Sequence, residues 1–306
     1  MTHKNLVLIP DIEHHDIGDF IAIAELIRDK TNDVIPYVFS HKEWRKSYFL
    51  KLRLTTHPTL VVAMRAFGKS IHPIKGCCHQ GLDLSKSETY SRMESAGLTV
   101  TPWCNWNRDT HTKSWMDNFV ISKPDRGARG RSVKIRATSK LRFDAEKHSI
   151  EPLILQKFIY TGAFPVVHRV LTLYGEPLMH FRSENIQAAP CLDPSSKHQL
   201  AGHNPVASNH GATLSLSNDR EIEALATNVA KLAFSDIPLL GFDILRSAID
   251  GSLHVCEVNP YGQTWHFSSM LGKSIQTSNN IEFYSQKNVF ETSANRLINA
   301  CREHAK

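Results

Sequence analysis

Two carboxylates and one carboxamide near the C-terminal end of the sequence form its strongest chemical signal. They lie in the segment 241–259, GFDILRSAIDGSLHVCEVN, which reads as two strands around a turn. Because side chains alternate along a strand, Glu257 and Asn259 share one face. If Gly251 takes the left-handed position of a three-residue loop, Asp243 stands directly opposite Glu257. The β-carbons of this pair would then lie about 4.5–5.5 Å apart.

Two carboxylates at that separation repel each other unless one is protonated or a cation lies between them. Carboxylate and amide oxygens are the ligands preferred by Mg²⁺ and Mn²⁺, which complete their octahedra with waters and substrate phosphates. The pattern therefore favours a divalent metal site made by Asp243, Glu257 and Asn259. A polar strand end that faces solvent is the alternative.

A basic, glycine-containing segment forms the second signal. In 119–132, FVISKPDRGARGRS, a strand delivers Lys123 and a flexible loop with several amides and cations follows. Such a loop can hold a polyphosphate, although it is not the G-x-x-x-x-G-K-[ST] motif of a P-loop. An ordinary hairpin turn is the alternative reading.

Positive charge is concentrated in this same region. The net charge is +6, and residues 123–142 contain eight basic residues and one acidic residue, so the rest of the chain is close to neutral. A nucleic-acid binder usually spreads its charge over a wide face with interleaved aromatics. The distribution argues against nucleic-acid binding and favours a local anion pocket, with a solvated basic hairpin as the alternative.

The elements that would position these residues fall into two halves. The first begins with a strand over 4–10 and a helix behind Asp16, and further apolar runs over 34–39 and 59–64 flank an amphipathic stretch, so it is predicted to be α/β. Ser85 and Glu88 have capping-box spacing, which places Lys86 in the first turn of a short helix. The second half is predicted to be mixed α+β. Its expected strands are 119–123, 132–136, 153–158, 166–174 and 178–182, and helices are expected around 222–232, with a cap over Asn218 to Glu221, and 290–301.

Composition bounds the class of protein. The 306 residues, 41% hydrophobic and 22% charged, predict a packed globular protein with two domains that meet near residue 100. No apolar run approaches the roughly 18 residues that cross a bilayer, so no membrane span is expected. Six cysteines without a C-x-x-C pair predict free thiols, and the 17 histidines lack the spacing of zinc sites. The short apolar run near the N-terminus does not resemble a secretory signal, so cytoplasmic location is expected.

The order of the motifs resembles the ATP-grasp superfamily. A capped helix with Lys86, a strand with Lys123, a glycine loop, a hinge, two arginines and a late Asp…Glu-x-Asn set follow one another over residues 80 to 270. The resemblance is to its carboxylate–amine ligases, which include ribosomal-protein glutamate ligases and glutathione synthetases. It implies a pre-ATP-grasp α/β domain over 1–100 and an ATP-grasp domain over 101–306. The latter would consist of a small, lid-bearing subdomain (119–158) and a large subdomain (159–306).

The resemblance also implies a role for each matching residue. Lys86 and Lys123 would contact nucleotide phosphates, and the loop from Gly127 to Ser132 would fold over them. Backbone groups of Lys157 and Ile159 in the hinge would read the adenine edge. Arg169 and Arg182 would hold the γ-phosphate or an acyl phosphate, and Asn209 would bind a substrate or intermediate. The complete implied nucleotide set is Lys86, Lys123, Gly127, Arg129, Gly130, Arg131, Ser132, Gln156, Lys157, Phe158 and Ile159, with Asp243, Glu257 and Asn259 as ligands of Mg²⁺ or Mn²⁺.

The activity implied by the resemblance is ATP-dependent joining of a small-molecule or peptide carboxylate to an amine through an acyl phosphate, with release of ADP and phosphate. The alternatives are a kinase on the same scaffold and a catalytically silent nucleotide-binding regulatory protein. Relatives include dimers and tetramers, so homo-oligomerisation is an open expectation. No acidic residue follows the hinge at 160–165, so ribose recognition is left unassigned.

Overall fold

The structure is a computed structural model that describes residues 3–54, 56–107, 113–127, 132–188 and 211–306. Within these ranges the chain forms three β-sheets surrounded by helices. None of the described helices combines the length and the apolar character that crossing a membrane requires.

The first sheet is parallel, with strand order β2-β1-β3-β4. Its strands are β1 (Lys4–Ile9), β2 (Val34–Val38), β3 (Thr59–Ala63) and β4 (Cys77–Gln80). β1 and β3 are almost completely buried apolar runs, as expected for parallel strands covered on both faces. Three helices connect the strands: α1 (Ile17–Lys30), α2 (His41–Lys46) and α3 (Tyr48–Leu54). This half is α/β, as the sequence predicted.

A smaller antiparallel sheet has the order β5-β8-β6-β7. Helix α4 (Lys86–Ser95) precedes it, and α5 (Ala145–Ile150) lies between its last two strands in the chain. The strands are β5 (Trp103–Asn105), β6 (Phe119–Pro124), β7 (Lys134–Ala137) and β8 (Leu153–Lys157).

The largest sheet is antiparallel, in the order β11-β10-β9-β12-β13. Its strands are β9 (Val166–Leu173), β10 (Glu176–Asn185), β11 (Ala212–Leu216), β12 (Leu239–Arg246) and β13 (Leu253–Asn259). Two bulges interrupt its register, one at Leu178 in β10 and one at Cys256 in β13. A bulge inserts one residue and so reverses the face of every side chain beyond it.

Helices cover both faces of this sheet. α6 (Arg220–Ala233) packs on one face with Ile222 and Val229 against Phe242. On the other face lie α7 (Met270–Asn279) and α8 (Val289–His304). α8 also packs against α1, β1 and β3 of the first sheet, so one apolar core joins the two ends of the sequence. The predicted division into segments 1–100, 101–306, 119–158 and 159–306 stays a prediction.

Local capping chemistry determines most helix starts. Asp16 accepts a hydrogen bond from the Gly18 N–H at the start of α1, and Ser85 forms the predicted capping box with Glu88. The expected cap over Asn218 to Glu221 is made by Asp219, whose side chain accepts from two backbone N–H groups. The amphipathic stretch 41–52 is divided into α2 and α3 because Ser47 terminates the first helix.

Candidate active site

The hairpin of β12 and β13 places the three predicted metal ligands on one face. Asp243 pairs directly with Glu257, and Gly241 pairs with Asn259. The predicted pairing of Asp243 with Glu257 is present, but the turn differs from the prediction. The pairs nearer the loop, from Ile244 with Val255 to Arg246 with Leu253, are offset by one residue from the predicted register. The extra residue at Cys256 restores the register, while Gly251 does adopt the left-handed conformation with φ of 75°.

Arg169 holds the first of these carboxylates. On β9 it stands opposite Asp243, and its Nε and Nη2 lie 2.5 Å and 2.9 Å from the two carboxylate oxygens. Burial raises the pKa of Asp243 and the negative charge of Glu257 raises it further, while Arg169 opposes both effects. The two facing carboxylates thus repel each other, and the guanidinium of Arg169 offsets part of that repulsion.

Lys86 reaches the second carboxylate from α4. Its Nζ lies 3.4 Å from Glu257 Oε1 and donates to the carbonyl of Gly127 at 2.9 Å. The helix start is fixed by Asp125, whose carboxylate accepts hydrogen bonds from the backbone N–H and hydroxyl of Ser87 at 2.8 Å. These contacts bring the base of the glycine loop and the strand that carries Glu257 and Asn259 to the same helix end.

An open cleft of about 220 Å³ lies at this meeting point. Lys86, Gly127 and Arg126 line one side, and Glu257 and Asn259 line the other. The cleft therefore has cations and loop backbone facing oxygen ligands, which is the charge arrangement that a metal-bound polyphosphate requires.

Lys123 is buried beside the cleft with two fixed partners. Its Nζ donates to the Tyr90 hydroxyl at 2.7 Å and to the Cys256 carbonyl at 2.9 Å. Burial alone would lower the pKa of Lys123, but Tyr90, Cys256 and Glu257 raise it by more, so the ammonium form is favoured. Since an ammonium group has three donors, one remains for a ligand.

Tyr90 contacts two of the predicted site residues, Lys123 and Gln156, and the sequence analysis did not single it out. It is completely buried, and burial raises its pKa to about 12, so the phenol keeps its proton. Its hydroxyl accepts from Lys123 and from Gln156 Nε2 and donates to the Cys256 carbonyl. The signal in the sequence is its spacing, because Tyr90 follows Lys86 by four residues and so shares its helix face.

The predicted hinge runs from the end of β8 into the large sheet. Gln156 is buried against Tyr90, and Phe158 packs on Phe119. The backbone N–H of Lys157 donates to the Pro102 carbonyl at 2.8 Å and is therefore occupied. Among the described residues, the N–H of Ile159 has no hydrogen-bond partner and remains available to a ligand.

Arg182 is not brought to this face. It pairs with His168 on β9, one position from Arg169, so its side chain projects from the opposite side of the sheet. There it forms a bidentate ion pair with Glu184 at 2.7 Å and 2.8 Å. The bulge at Leu178 is the physical reason, because without it Arg182 would share the face of Arg169.

Several predicted residues cannot be placed. Arg129, Gly130, Arg131 and Asn209 lie outside the described residues. Ser132, at the far end of the predicted loop, is exposed with φ of 60°, and Gly127 at its start has φ of 152°. Both ends of the loop thus have backbone conformations found in turns.

The segment after Asn259 closes against the first sheet. The carbonyls of Pro260 and Tyr261 accept hydrogen bonds from Leu82 and Ala66. A Cβ on Gly262 would lie 1.9 Å from the Met64 carbonyl oxygen, so only glycine fits this approach. The carboxyl ends of the parallel strands therefore border the site.

A small acidic group lies at that border. Ligand atoms of Asp11, Glu13 and His14 approach within 4.8 Å of one another. Arg65 pairs with Asp11 at 3.2 Å and with Glu13 at 3.2 Å, and its guanidinium stacks on Tyr261. Since Arg65 already pairs with both carboxylates, we do not assign a metal to this group.

The donor set at 243, 257 and 259 fits Mg²⁺ better than a softer metal. All three groups offer oxygen, and the neighbouring thiol of Cys256 is a poor ligand because burial raises its pKa. Asp243, Glu257 and Asn259 would hold the ion, and Lys86 with Lys123 would hold phosphate oxygens beside it.

No protein-family model and no curated protein sequence matches the chain. Solved structures do match over nearly its whole length. A Chryseobacterium gregarium RiPP-associated ATP-grasp ligase in complex with ADP, and a leader and core peptide, is 12% identical with a TM-score of 0.54, covering 97% of each chain. The ATP-grasp ligase PsnB complexed with minimal precursor, Mg, and ADP is 14% identical with a TM-score of 0.53, covering 97% of each chain. The D-cycloserine synthetase DcsG is 15% identical with a TM-score of 0.52, covering 96% of this chain and 99% of the other.

Proposed function

We propose that this chain, which has the ATP-grasp fold, is an ATP-dependent ligase that joins a carboxylate to an amine and releases ADP and phosphate. One observation carries the proposal: Asp243, Glu257 and Asn259 share a face, and Lys86 reaches Glu257 across the cleft at 3.4 Å. Oxygen ligands facing a cation are what a metal-bound triphosphate needs at its β- and γ-phosphates.

The proposed reaction has two steps. The substrate carboxylate attacks the γ-phosphorus of ATP, the bond to ADP breaks, and an acyl phosphate forms. The amine then attacks the acyl carbon, phosphate leaves, and the amine loses a proton. Such transfer needs positioning and charge neutralisation rather than a protein nucleophile. Bound Mg²⁺ would supply part of that neutralisation.

This chain's own residues supply the rest. The third donor of Lys123 and the ammonium of Lys86 would stabilise the phosphoryl oxygens, and the free N–H of Ile159 would donate a hydrogen bond to the adenine edge. The base of the glycine loop, anchored by Asp125 to α4, would let the loop close over the phosphates. Closure would exclude water, which hydrolyses acyl phosphates.

The test is ADP release measured against a panel of amino acids, dipeptides and short peptides. We expect release only with both a carboxylate and an amine present, and hydroxylamine should trap a hydroxamate. Release of AMP and pyrophosphate would contradict the proposal. A phosphorylated product stable to hydroxylamine would identify a kinase instead. Glu257→Gln serves as the inactive control and Glu184→Gln, on the other face of the sheet, as the matched active one.

A further inference from the structure

Helix α3 exposes three large apolar side chains and turns a lysine inward. Phe49 is 83% exposed, Tyr48 is 62% exposed and Leu52 is 46% exposed. Lys51 is only 8% exposed, and its Nζ donates to the Ser70 carbonyl at 3.0 Å. A surface helix normally exposes its charged side chains and covers its large apolar ones. The outward face of α3 therefore calls for an explanation other than the core of the chain.

The three exposed side chains form one apolar patch. Residues three and four apart lie side by side on a helix, so Leu52 is adjacent to both Phe49 and Tyr48. The Tyr48 and Phe49 rings are nearly perpendicular, with centroids 6.0 Å apart. Single exposed apolar residues are common on protein surfaces, whereas a contiguous patch marks a binding surface. We call Tyr48, Phe49 and Leu52 the α3 patch.

Buried contacts fix the helix beneath the α3 patch. The Trp44 side chain of α2 is completely buried, and its indole N–H donates to the Ile71 carbonyl at 2.6 Å. The Lys51 ammonium lies 5.3 Å from the Trp44 ring centroid, and its hydrogen bond to Ser70 ties α3 to the same segment. The patch therefore projects from a fixed support.

Basic side chains surround the α3 patch. Residues 41–54 contain five lysines and arginines and one acidic residue. That acid, Glu43, uses its carboxylate in the capping box with Ser40. Several exposed cations of this surface take part in no ion pair among the described residues: Lys42, Arg45, Lys46 and Arg53, with Lys69 in the segment tied to α3. The surface is thus apolar at its centre and positive around it.

This composition favours an anionic lipid surface over a protein partner. Lysine is depleted in protein–protein interfaces, whereas negatively charged head groups attract lysine and arginine alike. Phenylalanine and leucine side chains can enter the boundary of the acyl chains, while a tyrosine can keep its hydroxyl among the head groups. A ring as exposed as that of Phe49 projects from the protein surface, which suits insertion into a bilayer.

We propose that the α3 patch and the cations around it form a peripheral binding surface for anionic phospholipid bilayers. The cations would bind head-group phosphates, and the patch would insert beneath them. Both contributions are needed, because salt screens the electrostatic attraction and three apolar side chains alone bury little area. The surface is separate from the nucleotide cleft, so the proposal does not depend on the ligase activity.

The experiment is sedimentation of the whole chain with vesicles of phosphatidylcholine alone and of phosphatidylcholine mixed with phosphatidylserine. We expect binding to the mixed vesicles only, and weaker binding as salt is added. Phe49→Ser should weaken binding about tenfold or more, because it removes a large inserted side chain. Lys46→Ala should weaken it about fivefold, the contribution of one cation near the surface. Urea unfolding should be unchanged in both variants, since both positions are exposed.

Ile150→Ser and Lys140→Ala are the matched controls. Ile150 is 81% exposed, and Lys140 is an exposed cation of the other basic segment. Both variants should bind the mixed vesicles as the unmodified protein does. Equal loss of binding in these controls, or binding that Phe49→Ser leaves unchanged, would overturn the proposal.

Two further measurements test other occupants of the α3 patch. Binding of poly-glutamate without binding of vesicles would overturn the proposal and identify an acidic protein segment as the partner. Light scattering gives the oligomeric state of the unmodified protein and of Phe49→Ser. A dimer that this substitution dissociates would also overturn the proposal, because a second copy of the chain would then cover the patch.

Discussion

Replacing Glu257 by glutamine separates a metal-binding role of this residue from a structural one. The substitution keeps the size of the side chain and one oxygen acceptor but removes one charge of the Asp243–Glu257 pair. Unit charges about 5 Å apart interact by about 3 kcal/mol at an effective dielectric constant of about 20. Repulsion from Asp243 and attraction by Lys86 at 3.4 Å are therefore comparable in size and opposite in sign.

Solvent reduces both interactions, because the Glu257 side chain is 28% exposed. We therefore expect the free energy of unfolding of Glu257→Gln without ligand to stay within about 1 kcal/mol of the unmodified protein. Addition of Mg²⁺ and a non-hydrolysable ATP analogue at about 100 times Kd should stabilise the unmodified protein by about 2.7 kcal/mol and the variant by almost nothing.

Urea unfolding with and without the analogue measures both quantities, with Glu184→Gln as the control that should keep the full ligand effect. A loss of more than about 3 kcal/mol without ligand would show that Glu257 supports the fold. Undiminished stabilisation of the variant by the nucleotide analogue would remove Glu257 from the metal site. Either result refutes the reasoning.

Three further predictions concern neighbouring groups. Tyr90→Phe removes one of the two hydrogen-bond partners of buried Lys123, so it should destabilise the protein by about 1–3 kcal/mol and weaken nucleotide binding. Urea unfolding and nucleotide titration measure these two effects, and an unchanged nucleotide affinity would contradict the prediction. Arg182→Ala should leave kcat and KM within about twofold, because the Arg182 side chain lies on the face of the sheet opposite to Arg169. It should lower the free energy of unfolding by less than about 1 kcal/mol. A large loss of rate would show that the face assignment is wrong. Stability should fall as pH decreases from 6.5, where the unfolded histidines begin to bind protons, towards the folded pKa of about 4 for His15 and about 3 for His266. By pH 5 each of the two histidines should lower the free energy of unfolding by about 2 kcal/mol. His15→Gln should flatten the dependence of stability on pH, and identical pH dependence in the variant and the unmodified protein would contradict the assignment.

The sequence predicts chemistry best where one strand or one helix start decides it. Glu257 and Asn259 share a face because they are two residues apart, and Ser85 with Glu88 placed Lys86 correctly at the start of α4. These relations are local, so spacing alone determines them.

Relations across strands were harder to predict because bulges have no clear sequence signal. The bulge at Cys256 restored the pairing of Asp243 with Glu257 after the turn had offset it. The bulge at Leu178 had the opposite effect, since it turned Arg182 away from Arg169. A single inserted residue therefore determines on which face of the sheet a predicted side chain lies.

Contacts between distant segments were not predictable from spacing at all. Tyr90 touches Lys123 and Cys256, which are 33 and 166 residues away in sequence, and Thr264 covers Gly241 only after the chain folds back. Such contacts depend on packing, which a single sequence does not display.

The position of α8 has a consequence for biosynthesis. Because α8 covers α1 and β1, the first sheet lacks part of its apolar cover until residues 289–304 have left the ribosome. Leu6, Leu8 and Phe20 therefore emerge early and find their final neighbours late. These apolar side chains stay partly uncovered during translation until α8 has been made. The nascent chain should therefore need protection from aggregation, for example by chaperones, until residues 289–304 have emerged.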